Sequence, residues 1–387
     1  MSEASVTVTG TDAPAPRAVV RAMKEYHPPL GGRDRLRLDF NENTFACSPR
    51  VQQALGAITA GDLTRYPERG PVEALVARQL GLAADQVLLT NGVDEAIHVL
   101  AQTYLDETSE LLLPVPTYSM YEVYGSATGA TIVPVQAQRS DFAFPYEAVL
   151  AAITPQTRII ALANPNSPTG STLTRAQILS LARAAPQAIV LADEAYFHFH
   201  GETVLDCIGN TAYPNLVVAR TFSKAYGLAG LRLGLLAAAP AVMHWLRRVI
   251  SPYSVNALAL ACLPPALDDT VYLDWYVAEV QAARTACYAV CAELGLRTWP
   301  SAANFILLEI GAQHHAFTQA MYAHGTLVRD RSADPGCDGC VRITIGTREQ
   351  MRSCHDALRA VVTELGLIPT VQGTLQHDTQ DSTRKIR

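Results

Sequence analysis

The middle of the chain repeats one pattern. A short apolar run is followed by a turn rich in Gly, Pro, Asn or Asp, and then by apolar positions at helical spacing. "DQVLLTNG" leads into "VDEAIHVLAQTYL", "SELLLPVPTY" into "SMYEVYGSATG", and "TRIIALANPNSPTG" into "TRAQILSLARAA". "QAIVLADEAY" and "NLVVARTFSK" are further runs of the same kind. Strands this continuously apolar are buried on both faces. Their alternation with helices predicts an α/β fold with a mostly parallel sheet covered on both sides. Ligands of such sheets sit beyond the carboxyl ends of the strands, where the polar residues of this chain cluster.

After about residue 270 the pattern changes. A long helical stretch, "VYLDWYVAEVQAARTACYAVCAELG", carries Cys287 and Cys291 one turn apart, facing the core, and runs into "LRTWPSAANFILLEI". A helix, a strand near "GTLVRD", a strand "VRITIGT" and a closing helix from Glu349 follow. This predicts a smaller α+β domain, which the strand-like "RLRLDFNEN" joins. The expected layout is a flexible arm over 1–18, a small domain from 19–47 with 271–368, a large domain over 48–270, and a disordered tail over 369–387. No repeat of fixed period is present.

At 387 residues and 49% hydrophobic content, the chain is ample for two cores. A net charge of −6 without a long basic run argues against nucleic acid or an acidic membrane as the main partner. Arg232, or Pro264 and Pro265, break the longest apolar stretches below the length of a membrane span. The opening "MSEASVTVTGTDAPAPR" lacks the basic start and apolar core of a secretory signal. Eight scattered cysteines indicate a reduced, cytoplasmic protein. Cys337 and Cys340 form a lone CxxC without a second pair. His198 and His200 read as ordinary histidines on the flank of a strand.

The chemistry lies at the strand ends. Asp193 ends "AIVLAD", with Tyr196 three residues on. "RTFSKAYGLAGLRLG" holds Thr221, Ser223, Lys224 and Arg232. "TNGVDE" puts Val93 and Asp94 at a helix start, and "PTYSMY" puts Tyr118 just past a strand. Pyridoxal phosphate uses such a set at once. Its aldehyde needs a lysine amine, and its pyridine nitrogen needs a buried carboxylate to stay protonated. The ring needs a flat partner. The phosphate suits a helix N-terminus, hydroxyls and a guanidinium.

On these residues the chain resembles the fold-type-I pyridoxal-phosphate aminotransferases, and among them the histidinol-phosphate aminotransferase family. "LDFNEN", "RYPE", "TNGVDEAI", "PTYSMY", "NPNSPTG", "DEAY", "RTFSKAYGLAGLRLG", "ANFILLE", "GTLVRD" and "VRITIGTREQ" occur in the family's order over about residues 25 to 368. The resemblance implies a seven-stranded-type, mostly parallel sheet in the large domain. It implies that Lys224 bonds the cofactor aldehyde, Asp193 pairs with the ring nitrogen, Tyr196 touches the ring oxygen and Tyr118 stacks. Val93, Asp94, Thr221, Ser223 and Arg232 would hold the phosphate. Tyr66, in "TRYPE", would reach the phosphate of a neighbouring subunit, making a homodimer. Arg342 resembles the arginine that grips the substrate anion, with Arg329, Tyr26 and Asn304 as further substrate contacts. The family usually has Asn just before Pro-Thr-Gly. Here that place is Ser167, preceded by Asn166, and either residue is left as the ring-oxygen contact.

The activity implied is ping-pong amino transfer between glutamate and imidazole acetol phosphate, in histidine biosynthesis. Alternatives are a broad or aromatic aminotransferase and a pyridoxal-phosphate decarboxylase of amino acid phosphates. A cofactor-binding regulator would need a DNA-binding segment, which the short stretch before residue 18 does not supply.

Overall fold

The computed structural model describes residues 14–25, 27 and 31–367. The tail from 369 and most of the expected arm therefore lie outside the described residues, as does Tyr26. Thirteen strands are present among the described residues: β1 (Leu36–Arg37), β2 (Val87–Thr90), β3 (Glu110–Val115), β4 (Thr131–Gln136), β5 (Thr157–Ala163), β6 (Ile189–Asp193), β7 (Leu216–Thr221), β8 (Gly234–Ala238), β9 (Arg297–Trp299), β10 (Phe305–Glu309), β11 (Thr326–Leu327), β12 (Arg329–Asp330) and β13 (Cys340–Thr344).

The large sheet has the order β2-β8-β7-β6-β5-β3-β4. All its strands run in one direction except β8, which is antiparallel to both neighbours. Every residue of β2, β6, β7 and β8 is buried, as continuous apolar runs require of a sheet covered on both faces. The edge strand β4 is instead mostly exposed or half-buried and carries Pro134, whose missing N–H is tolerated at an edge. Two core clusters sandwich this sheet, one around Leu162, Val190 and Val218, the other around Leu191, Val217 and Leu236.

A third core cluster joins Leu38 to the helix Thr270–Glu293, β10, β13 and the helix Arg348–Glu364. Cys287 and Cys291 are fully buried in it. Its antiparallel sheet has the order β12-β13-β10-β9, and β1 pairs with β11 in a separate parallel ladder. Cys337 and Cys340 lie buried with Trp299 and Phe142 in a small apolar cluster. His198 and His200 lie on a helical turn, Phe197–His200, rather than on a strand: Gly201 closes that turn in the left-handed region. Among the described residues, no helix is long and apolar enough to cross a membrane.

β8 positions the site. It starts at Gly234, which pairs in register with Thr90 on one side and Thr221 on the other. The helix start after β2 is thereby brought against the lysine loop after β7. A Cβ at Gly234 would lie 2.8 Å from the Val93 nitrogen, so this close approach requires glycine. Asp193, at the end of β6, pairs in register with Ala219 of β7 and Ala163 of β5.

Candidate active site

Five strand ends converge here. After β2 the helix Gly92–Tyr104 begins, and its first N–H groups have no carbonyl one turn back to bond. Val93 and Asp94 are in that turn. Gly92 has φ +73, and a Cβ there would meet the Arg232 guanidinium at 2.7 Å. Arg232 itself stands in the left-handed region at φ +53 and donates to Asp94 Oδ2 at 2.9 Å. Although its neighbours in the chain are apolar, its side chain is exposed. Thr221 and Ser223 are buried beside it, tied by the Ser223 N–H donating to Thr221 Oγ1 at 3.0 Å. Two hydroxyls, a guanidinium and an open helix N-terminus form an anion cup.

The two acidic residues of "DEAY" differ. Glu194 is buried and answered by the Arg220 guanidinium at 2.7 Å. Asp193 is only 5% exposed, but its hydrogen-bond partners are neutral. Tyr121 Oη donates to Oδ2 at 2.6 Å, and the Ala195 N–H donates to Oδ1 at 3.0 Å. Burial pushes the Asp193 carboxyl up to about 6. The two donors pull it down, while the nearby Asp94 and Glu194 carboxylates add to the rise. A buried carboxylate without a cationic partner suits a protonated pyridine nitrogen.

Lys224 is half-buried and donates through Nζ to the Phe40 carbonyl at 3.0 Å. The same Nζ lies 5.9 Å from the centre of the Tyr196 ring. Tyr196 is buried, and its oxygen accepts from Asn41 Nδ2 at 2.8 Å. That leaves the phenol's own hydrogen to donate elsewhere. Tyr118 donates to Asp94 Oδ1 at 2.7 Å, which ties this ring to the anion cup.

At the other end, Arg342 of β13 is directly opposite Arg329 of β12. Arg342 is 7% exposed. It donates to Ser167 Oγ at 3.0 Å and to the Asp39 carbonyl at 2.7 Å, and its Nε lacks a partner among the described residues. Burial, together with the like charges of Arg331 and Arg329, lowers its pKa to about 9. The Asn166 amide is spent on the Pro116 carbonyl and Thr169, and its oxygen accepts from Thr117. Ser167, by contrast, faces Arg342. Asn304 is fully buried and donates to the Asn41 carbonyl at 3.2 Å, so its link to the site runs through Asn41. Tyr66 stands apart, 79% exposed, with its ring 4.5 Å from that of Tyr253.

Sequence reasoning missed Tyr121, Asn41 and Arg331. Tyr121 had a signal in the Tyr-x-x-Tyr spacing of "PTYSMY". Asn41 had a weaker one: it takes φ +54, which Asn tolerates better than most residues.

A lysine poised beside an unpaired buried carboxylate and an anion cup, at the strand ends of this sheet, defines a pyridoxal-phosphate-dependent transferase of fold type I. The chain belongs to the aminotransferase class I and II family, whose profile matches residues 33–358. It is 35% identical to the histidinol-phosphate aminotransferase of Granulibacter bethesdensis, over 91% of this chain and 97% of that one. It is 36% identical to that of Symbiobacterium thermophilum, over 90% and 99%. The histidinol-phosphate aminotransferase of Sinorhizobium meliloti, solved in complex with pyridoxal-5'-phosphate, shares the fold. It superposes with a TM-score of 0.82 at 23% identity, covering 92% of this chain and all of that one.

Proposed function

We propose that the protein transfers the amino group of histidinol phosphate to 2-oxoglutarate, forming imidazole acetol phosphate and glutamate, as a cytoplasmic step of histidine biosynthesis. The observation that carries this is the pair Arg342 and Arg329, in register at the far end of a cofactor site. Arg342 is desolvated beside other positive charges, a state that an anionic substrate relieves. The relatives named above point to the same substrate.

Pyridoxal phosphate, when bound, supplies the aldehyde that takes up the amino group and a ring that withdraws electrons. Asp193 would hold the proton on the ring nitrogen, and Tyr118 would supply the flat face against the ring. Tyr196, whose oxygen already accepts from Asn41, would donate its phenol hydrogen to the ring oxygen. Ser167 is the closer candidate for the neighbouring contact, because the Asn166 amide is committed elsewhere. The helix start at Val93 and Asp94, with Thr221, Ser223 and Arg232, receives the phosphate. Lys224, whose amine donates to the Phe40 carbonyl, would hold the aldehyde of the bound cofactor and, when free, would take and return the proton at the substrate carbon. Arg342 and Arg329 orient the substrate's anionic group.

On the same reading the chain divides into a large part over 48–270 and a small part from 19–47 with 271–368. The separate core clusters support that division. The active form is a homodimer in which Tyr66, exposed beside Tyr253, reaches the partner's cofactor phosphate. Mixing Lys224→Ala subunits with Tyr66→Ala subunits should restore activity through hybrids that hold one intact site. A fully active monomer in light scattering contradicts the shared site.

A substrate panel tests the reaction. With pyridoxal phosphate and 2-oxoglutarate, kcat/KM should be highest for histidinol phosphate and lower for phenylalanine and tyrosine. Better use of the aromatic amino acids makes the protein a general aromatic aminotransferase. Carbon dioxide release from an amino acid phosphate, without keto-acid consumption, makes it a decarboxylase.

A further inference from the structure

We propose that Tyr121 is a positioning residue of the cofactor site, whose phenol fixes the Asp193 carboxylate for the ring nitrogen. Tyr121 lies on the helix Met120–Thr128 and is among the largest fully buried side chains. Packing alone does not account for its oxygen, which makes a 2.6 Å hydrogen bond to Oδ2. The Ala195 N–H holds Oδ1 at 3.0 Å. One donor on each oxygen sets the plane of the carboxylate and leaves remaining lone pairs for a third donor. A carboxylate held this way loses little rotamer freedom on binding a cation.

The phenol also keeps Asp193 charged. Asp193 has no cation of its own, and Asp94 and Glu194 oppose its ionisation. Tyr121 is the first of the hydrogen bonds acting against that burial. Burial and the adjacent Asp193 raise the Tyr121 pKa well above its ordinary value, and the phenols of Tyr118 and Tyr196 add to the rise. Tyr121 therefore remains a donor throughout the working pH range. Tyr118, three residues earlier, has its ring edge-on to Tyr121 at 5.9 Å and donates to Asp94. One Tyr-x-x-Tyr segment thus serves both ends of the cofactor: Tyr118 ties to the phosphate end and Tyr121 to the nitrogen end.

This inference rests on Asp193 meeting the ring nitrogen, and the test separates the two. Tyr121→Phe keeps the ring and removes only the hydroxyl. Binding of pyridoxal phosphate to the full-length apoprotein is measured against pH in the wild type, Tyr121→Phe, Asp193→Asn and the double variant. Losing a hydrogen bond to a charged group should weaken binding near neutral pH roughly tenfold to hundredfold. It should also move the pH below which affinity falls upward by about one unit or more. In the Asp193→Asn background the Tyr121 change should have no further effect. A Tyr121→Phe protein with wild-type affinity and pH midpoint overturns the inference, as does an equal loss in both backgrounds. Asp193→Asn binding as tightly as the wild type would overturn the role of Asp193 itself, and this inference with it.

Discussion

The cofactor end and the anion end of the site are built differently. At the cofactor end, each group follows its own strand: Asp193 ends β6, Thr221 ends β7, and Val93 and Asp94 follow β2. Sheet register sets their distances. At the anion end, Arg342 lies within β13 and meets Ser167 from the large-sheet side and the Asp39 carbonyl from near the start of the chain. Three distant segments must pack correctly to make that contact. Groups fixed by one sheet are rigid and suit the chemistry common to all substrates. On the proposed function, groups assembled from several segments are the ones that would carry the choice of substrate.

That contrast predicts losses at the cofactor end for every substrate and selective losses at the anion end. Lys224→Ala should lower kcat by about 10⁴-fold or more, whichever amino donor is used. Mass spectrometry after borohydride treatment should find the cofactor fixed on the Lys224 peptide of the wild type and on no peptide of the variant. Activity near that of the wild type would remove Lys224 from the site.

Asp193→Asn comes next. Removing one member of a buried ion pair costs about 3–5 kcal/mol, so kcat should fall at least roughly hundredfold, again for all donors. Cofactor retention should suffer less, because the phosphate cup remains. The apoprotein offers a check without turnover. The folded pKa of Asp193, about 6, lies above its ordinary value of 3.8. The stability linked to its protonation is therefore present below 3.8 and lost as pH rises through 6. Thermal unfolding should show Asp193→Asn more stable than wild-type apoprotein at pH about 8, and no different at pH about 4. The same difference at both pH values would mean that Asp193 is not buried as a charge.

The arginines divide the substrates. Arg342→Ala should cost histidinol phosphate and glutamate about 1.5–3 kcal/mol each, roughly a tenfold to hundredfold loss in kcat/KM. Arg329→Ala should produce a loss of that order for the same two substrates and spare phenylalanine. Equal losses on all three would make Arg329 structural and erase the contrast between the two ends. The smallest effect belongs to Asn41→Ala. It removes a neutral hydrogen bond to Tyr196, worth about 0.5–1.5 kcal/mol, so kcat should fall by about tenfold at most. No change in kcat would separate Asn41 from the chemistry.

The same contrast governs what the sequence revealed. The large sheet and the polar groups at its strand ends were legible because each group sits beside its own strand in the chain, where apolar runs and turns mark the end. The reversed direction of β8 was not: nothing in "RLGLLAAA" tells which way a strand enters its sheet. The histidine turn was misread because alternation in "YFHFH" imitates a strand over too few residues to tell the periods apart. Tyr121 was passed over because an aromatic on a helix facing a sheet is usually core, and only its partner at 2.6 Å distinguishes it. That Asn166 bonds the Pro116 carbonyl while Ser167 meets Arg342 depends on the loop's conformation, which no spacing encodes.

The central claim is that the protein moves the nitrogen of histidinol phosphate. The direct measurement is to give the purified, cofactor-loaded enzyme histidinol phosphate with an isotopically labelled amine, together with unlabelled 2-oxoglutarate. The account predicts label in glutamate, equal in amount to the imidazole acetol phosphate formed, with no carbon dioxide released. Label that stays in histidinol phosphate, while the same preparation readily aminates 2-oxoglutarate from phenylalanine, would contradict it.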